Sequence, residues 1–168
     1  MNRGGLGRRP MTDEYRFLTT WVLDADREEV WEALWDAERW PEWWPGVEEA
    51  IETDPGAACG IGRRGRYTWR SRMGYRVSFA VLATGVEPPS LLEGETTGDL
   101  EGVGRWSLAE DGGVTTVRYE WSVRATRAWM RATAPVADPI FRWSHDRLMR
   151  AGGSGLARHL GARLIAAS

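Results

Sequence analysis

Proton-transfer chemistry near neutral pH falls to few side chains in this 168-residue sequence, which has two histidines and four tyrosines. His145 follows Ser144 in a stretch of helical spacing, with Phe141 and Leu148 on the apolar stripe beside them. Both can point polar groups into an apolar interior, where a histidine serves as an acid or a base. Tyr67 and Tyr119 lie in stretches that alternate as strands do, so a sheet facing that helix would assemble the candidate catalytic set His145, Tyr119 and Tyr67. The plainer reading of His145 is a partly exposed helical residue beside Asp146. Ser144-His145-Asp146 is not a nucleophile triad, because neighbours on a helix point about 100° apart.

Spacing excludes two further chemistries. The two histidines and the single Cys59 give no metal-ligand pattern, so no metal is expected. Gly60-Ile-Gly-Arg-Arg-Gly65 matches G-x-G-x-x-G, but strand text, Tyr67-Thr-Trp69, follows it. A dinucleotide site needs a helix there, whose N-terminus meets the pyrophosphate. These glycines are read as a loop and bulge, and no cofactor is expected.

The elements that must position these residues are legible in the hydrophobic period. Residues 15–23 alternate as a strand. A helix follows, with Asp26 and Glu29 as a capping box and Val30, Trp31, Leu34 and Trp35 as its stripe. Trp40-Pro41 opens a second short helix, and Pro45-Gly46 ends it. Residues 47–124 read as an antiparallel meander of about six strands, with Asp111-Gly112-Gly113 as its clearest hairpin turn. One face carries Tyr67, Trp69, Tyr75, Val77, Phe79, Trp106, Tyr119 and Trp121, and in the strand over 91–100 Leu92, Gly94, Thr96 and Gly98. The other carries Arg66, Arg70, Arg76, Arg105, Arg118 and Arg124, which cross-strand pairing with Glu93, Glu95 and Glu120 would neutralise. A helical stretch starting at a Thr126 cap is interrupted at Pro135 and restarts at Asp138-Pro139. A kink or end is expected at Gly152, Gly153 and Gly155, and a last helical stretch over 156–165.

Composition sets the class. Hydrophobic residues make up 42% and charged residues 27%, ordinary values for a globular chain. All 22 basic residues are arginine, yet the formal net charge is −2, which is not the footprint of a nucleic-acid binder. No stretch has the length of a transmembrane helix. The lone cysteine and the missing apolar leader point to the cytoplasm. Residues 1–12 are expected as a disordered tail and 13–168 as a single domain.

Aromatic residues supply the functional signal. Five of the eleven tryptophans fall between Trp31 and Trp44. An indole is rarely left at a surface, so this run marks a core or a pocket. Three sets of residues carry a resemblance to a known superfamily: Trp21-Val-Leu-Asp-Ala-Asp-Arg-Glu-Glu-Val-Trp31, Asp36-Ala-Glu-Arg-Trp-Pro-Glu-Trp-Trp-Pro-Gly46, and the late segments Arg127-Ala-Trp-Met130 and Phe141-Arg-Trp-Ser-His-Asp-Arg-Leu-Met149. Over roughly residues 13 to 161 the chain resembles the START-like, helix-grip superfamily of polyketide cyclases, dehydrases and lipid-transfer domains, in its bacterial polyketide-cyclase-like branch.

The resemblance implies an α+β fold in which a curved antiparallel sheet of about seven strands wraps a long C-terminal helix and encloses a cavity. The expected lining is Trp35, Tyr67, Trp69, Phe79, Trp106, Tyr119, Trp121, Phe141, Ser144 and His145, suited to a planar, apolar ligand. Three functions follow as expectations. The first is binding or transport of a hydrophobic small molecule, lipid-like or aromatic, without chemistry. The second is an aromatase/cyclase or dehydratase acting through acid–base chemistry in the same cavity. The third is a partner-binding domain that uses a Trp40–Trp44 surface. Trp31 and Trp35 are read as a buried anchor, and Trp40, Trp43 and Trp44 as a lid near the cavity mouth.

Overall fold

The computed structural model describes residues 14–71 and 73–168, without the side chains of Trp129 and of residues 133–137. The expected tail lies outside the described residues. Strand β1 (Glu14–Leu23) leads into helix α1 (Arg27–Trp35), a 3-10 turn over Ala37–Arg39 and the short helix α2 (Trp40–Trp43). Six strands follow: β2 (Val47–Asp54), β3 (Arg64–Arg70), β4 (Arg76–Glu87), β5 (Leu91–Gly98), β6 (Leu100–Asp111) and β7 (Val114–Ala125). Helix α3 (Ala128–Leu160) and strand β8 (Leu164–Ala167) complete the chain. The sheet is antiparallel throughout, in the order β2-β3-β4-β5-β6-β7-β1-β8. This is the helix-grip arrangement, with eight strands rather than about seven.

Strand registers turn the sequence alternation into one aromatic face. Tyr67 pairs with Phe79, Trp69 with Val77, Trp106 with Tyr119, and Phe17 with Trp121. Because a strand's side-chain period is two, these pairings put every ring on the side that meets α3. Gly112 and Gly113, at φ 59° and 80°, close the β6–β7 hairpin as a type I′ turn needs. The outward arginines pair with carboxylates, across strands as expected for Arg105 and Glu93 at 3.8 Å, but along a single strand for Arg118 and Glu120 at 2.8 Å. Glu101 serves Arg124 at 2.7 Å, and Glu48 serves both Arg70 and Arg76. Exposed pairs of this kind contribute only about 0–1 kcal/mol each, so they solubilise the sheet more than they hold it.

Several local expectations are corrected. Asp26 is the N-cap of α1 in extended conformation, but its side chain caps nothing, so the capping box does not form. Thr126 does not cap α3; its hydroxyl donates to the Gly98 carbonyl, and the N-cap is Arg127. The helix is continuous over 33 residues, so it is not interrupted at Pro135 and does not end at Gly152–Gly155.

Packing explains the glycines. A Cβ at Gly152 would lie 2.3 Å from the Trp44 ring, one at Gly153 2.9 Å from Trp21, and one at Gly155 1.9 Å from the Trp43 carbonyl oxygen. They let three tryptophans press onto the helix, and that burial offsets the helix-propensity cost of about 1 kcal/mol each. The expected last helical stretch over 156–165 holds as far as Leu160, as the end of α3, and only its remainder is replaced. Gly161, at φ 64°, ends α3, and residues 164–167 pair as β8 along β1.

The core sits where α1, α2 and the C-terminal part of α3 meet the sheet, around Trp21, Leu23, Val30, Trp44, Val117 and Leu156. Trp40, Trp43 and Trp44 are 8%, 6% and 1% exposed, so no tryptophan surface exists there for a partner. The third functional expectation therefore loses its physical basis. The anchor-and-lid division changes too: Trp35, Trp40 and Trp44 border the cavity described next, whereas Trp31 and Trp43 do not.

Candidate functional site

Between the aromatic face and α3 lies a cavity of about 210 Å³. All ten residues expected to line it do so: Trp35, Tyr67, Trp69, Phe79, Trp106, Tyr119, Trp121, Phe141, Ser144 and His145. β3, β4, β6 and β7 supply the ring wall, α3 the roof, and the α1–α2 corner one end. The wall is a continuous ring network. Trp106 stacks on Tyr119 at 4.0 Å between centroids, and Tyr119, Trp121 and Phe79 continue it at about 6 Å steps, toward Tyr67.

Two glycines seat the phenols. A Cβ at Gly65 would fall 2.6 Å from the Tyr67 hydroxyl, and one at Gly104 2.8 Å from the Tyr119 hydroxyl. Each tyrosine thus lies over a neighbouring glycine, Gly65 two residues before Tyr67 on β3 and, for Tyr119 on β7, Gly104 on the adjacent strand β6, a cross-strand pairing that alternation alone does not reveal. Burial pushes both phenols above their ordinary range, Tyr119 far above it, so both are neutral donors at physiological pH.

His145 is 9% exposed at its side chain and does not point to solvent. Its ring stacks on Phe17 at 3.8 Å and lies 5.8 Å from Trp121. Among the described residues neither ring nitrogen has a hydrogen-bond partner, and Asp146 Oδ1 stands 3.6 Å from Nδ1, beyond bonding distance. Burial against these rings pushes the imidazole down to about 4, although nearby Asp146 partly opposes it. No hydrogen bond among the described residues joins Tyr119, Tyr67 and His145: Trp121 stands between Tyr119 and His145 and Phe79 between Tyr67 and Trp121, whereas Tyr67 is near enough to Tyr119 to add to the rise that burial gives its pKa. Ser144 Oγ instead meets Ser71 Oγ at 3.3 Å.

The depressed imidazole makes stability depend on pH. An unfolded histidine titrates near 6.5, so between that pH and about 4 the unfolded chain binds more protons than the folded one. Stability is complete above the unfolded value and falls as pH drops through this window, by at most roughly 3 kcal/mol from this one group. His145→Phe removes that contribution. In chemical denaturation between pH 7 and 4 the wild type is expected to lose more stability than the variant; parallel pH profiles would refute the burial of a neutral His145.

Two features were not anticipated. Arg63 borders the cavity beside Trp35, with its guanidinium 4.3 Å over that ring. It is held by Glu52 at 2.6 Å and by the Trp35 carbonyl oxygen at 2.7 Å. The indole N–H groups of Trp69 and Trp121 are shielded from water without a partner. Arg63 lies in the loop text that resembled a dinucleotide motif, and nothing in its local spacing points to Glu52, which pairs with it across the loop.

A helix-gripping sheet with an aromatic cavity defines a class of small-molecule-binding folds. Within it, the chain belongs to the polyketide cyclase/dehydrase and lipid transport family, whose model matches residues 16–161. No curated protein sequence matches it. Solved structures with the same fold include the di-domain aromatase/cyclase BexL of the BE-7585A biosynthetic pathway, at 22% identity and TM-score 0.70, covering 89% of this chain and 51% of that one. The aromatase/cyclase ZhuI of Streptomyces sp. R1128 has 15% identity and TM-score 0.72, covering 88% and 94%. A START superfamily protein of Mycobacterium smegmatis has 14% identity and TM-score 0.71, covering 87% and 97%. The chain spans about half the length of the di-domain proteins it resembles. Among the described residues, no helix is long and apolar enough to cross a membrane.

Proposed function

We propose that the protein binds a hydrophobic, planar aromatic small molecule in this cavity and holds or carries it without chemical change, acting as one ligand-binding domain in the cytoplasm. The observation that carries this reading is the uninterrupted ring wall from Trp106 through Tyr119 and Trp121 to Phe79, with polar atoms confined to a few tips. Stacking against such a wall favours flat rings over flexible acyl chains. Titration of the protein with naphthalene, followed by quenching of tryptophan fluorescence, is expected to saturate at one ligand per chain. Absence of saturable quenching would overturn the reading.

An aromatase/cyclase or dehydratase reading has one observation in its favour: a neutral imidazole, His145, in the cavity wall of a chain that belongs to a family with cyclase members. The tuning weighs against it. A base near 4 has little drive to take a proton at neutral pH, and Tyr119 is shifted far from it in the opposite direction. Turnover of a poly-ketone substrate that disappears in His145→Phe would reverse this ranking.

A further inference from the structure

Resting on the binding reading, we infer that the Arg63–Glu52 pair restricts the cavity to uncharged ligands, and that the Tyr67 and Tyr119 hydroxyls select, among these, aromatics bearing hydroxyl or carbonyl groups. Among the described residues, the charged side chains bordering the cavity are Arg63, Arg70 and Glu93, with His145 as a further titratable group. Arg70 reaches Glu48 on the outer face at 3.5 Å, and Glu93 faces Arg105 at 3.8 Å. Among the described residues, Arg63 is therefore the cation best placed to serve a buried anion, with its side chain only 17% exposed. Two of its five N–H donors are committed, Nε to Glu52 and one on Nη1 to the Trp35 carbonyl, its charge is balanced by the Glu52 carboxylate, and the guanidinium lies over the Trp35 ring.

A carboxylate entering the cavity would exchange its hydration for aromatic surface and a cation that Glu52 already neutralises. An anion desolvated without a counter-charge is strongly disfavoured, whereas a neutral phenol or ketone is not. The neutral group finds matching tips. The Tyr67 and Tyr119 hydroxyls stand at the cavity over Gly65 and Gly104, each able to donate to an oxygen or accept from a hydroxyl. His145, stacked between the Phe17 and Trp121 rings with Asp146 Oδ1 3.6 Å from Nδ1, is held neutral by burial and adds no positive charge at neutral pH.

Three matched ligands separate the terms: naphthalene, 2-naphthol and 2-naphthoate, titrated calorimetrically at neutral pH. The wild type is expected to bind 2-naphthol about tenfold more tightly than naphthalene, one net hydrogen bond's worth, and 2-naphthoate more weakly than either. Tyr67→Phe combined with Tyr119→Phe brings 2-naphthol toward the affinity of naphthalene. Glu52→Gln keeps the side chain's shape and releases Arg63, and it is expected to raise 2-naphthoate affinity about tenfold or more. The wild-type ranking needs no variant to fold, and Glu52→Gln reads as a gain, which misfolding would not produce. Binding of 2-naphthoate as tight as that of 2-naphthol, or no gain in folded Glu52→Gln, overturns the charge restriction alone. Equal binding of naphthalene and 2-naphthol overturns the tyrosine selection. No binding of any of the three overturns the cavity reading as well.

Discussion

Gly155→Ala is expected to destabilise the protein by about 2 kcal/mol, against the sign that helix propensity predicts. Alanine in a helix interior is better than glycine by about 1 kcal/mol, which would make the change stabilising. Packing decides otherwise. The added Cβ would sit 1.9 Å from the carbonyl oxygen of Trp43 and 3.5 Å from the Pro45 ring, and the obstacle is backbone rather than a flexible side-chain tip. Relief requires α3 to move away from the α2–β2 corner, opening the contact in which Trp44, 1% exposed, donates its indole N–H to the Leu148 carbonyl at 3.0 Å. Overpacking of this sort costs roughly 1–3 kcal/mol, and here it carries the loss of a buried hydrogen bond with it. Thermal unfolding should shift down by roughly 4–8 °C. Ser154→Ala, on the same turn and half-buried, should stay within about 0.5 kcal/mol of the wild type. A melting temperature for Gly155→Ala at or above that of the wild type would show that the helix does not approach α2 as closely as described.

The second large effect is on binding. Ser144→Trp places an indole from the roof of the cavity into a space of about 210 Å³, next to Phe141 and opposite the Trp121 ring. The residue is half-buried and its hydroxyl makes a single contact with Ser71, so the fold loses little. Affinity for 2-naphthol or naphthalene is expected to fall at least about 100-fold, a cost near 3 kcal/mol, since ligand and indole compete for one volume. Far-ultraviolet circular dichroism should be unchanged. Undiminished affinity in a folded Ser144→Trp protein would move the binding site elsewhere.

What was legible in the sequence followed the reach of each signal. Alternation with period two is local, so the inward set of Tyr67, Trp69, Phe79, Trp106, Tyr119 and Trp121 and the outward arginines could be assigned strand by strand. The cavity lining followed once those strands were joined into one sheet. Contacts between distant segments carry no local mark. The glycines at 152, 153 and 155 read as helix breakers because nothing nearby announces that Trp44, Trp21 and Trp43 will cover them. Strand β8 was hidden for a similar reason: residues 164–167 are apolar on both sides, and only three residues, beginning with the left-handed Gly161, separate them from α3. The seating of Tyr119 over Gly104 and the locking of Arg63 by Glu52 likewise depend on the assembled sheet. The cluster of tryptophans after β1 showed its chemistry but not its division of labour, because a helical stripe does not reveal which ring meets the cavity and which meets the core.

The central claim, that an aromatic ligand occupies the space between the ring wall and α3, is tested most directly by the indole N–H resonances of a nitrogen-15-labelled protein titrated with 2-naphthol. Trp69, Trp106 and Trp121 border the cavity, whereas Trp143 is 49% exposed on the outer side of α3 and Trp31 and Trp43 lie away from it. Ring currents act only over short range, so the account predicts saturable shifts at Trp69, Trp106 and Trp121 with Trp143, Trp31 and Trp43 unmoved. Shifts confined to Trp143, or no saturable shift at the three cavity indoles, would contradict it.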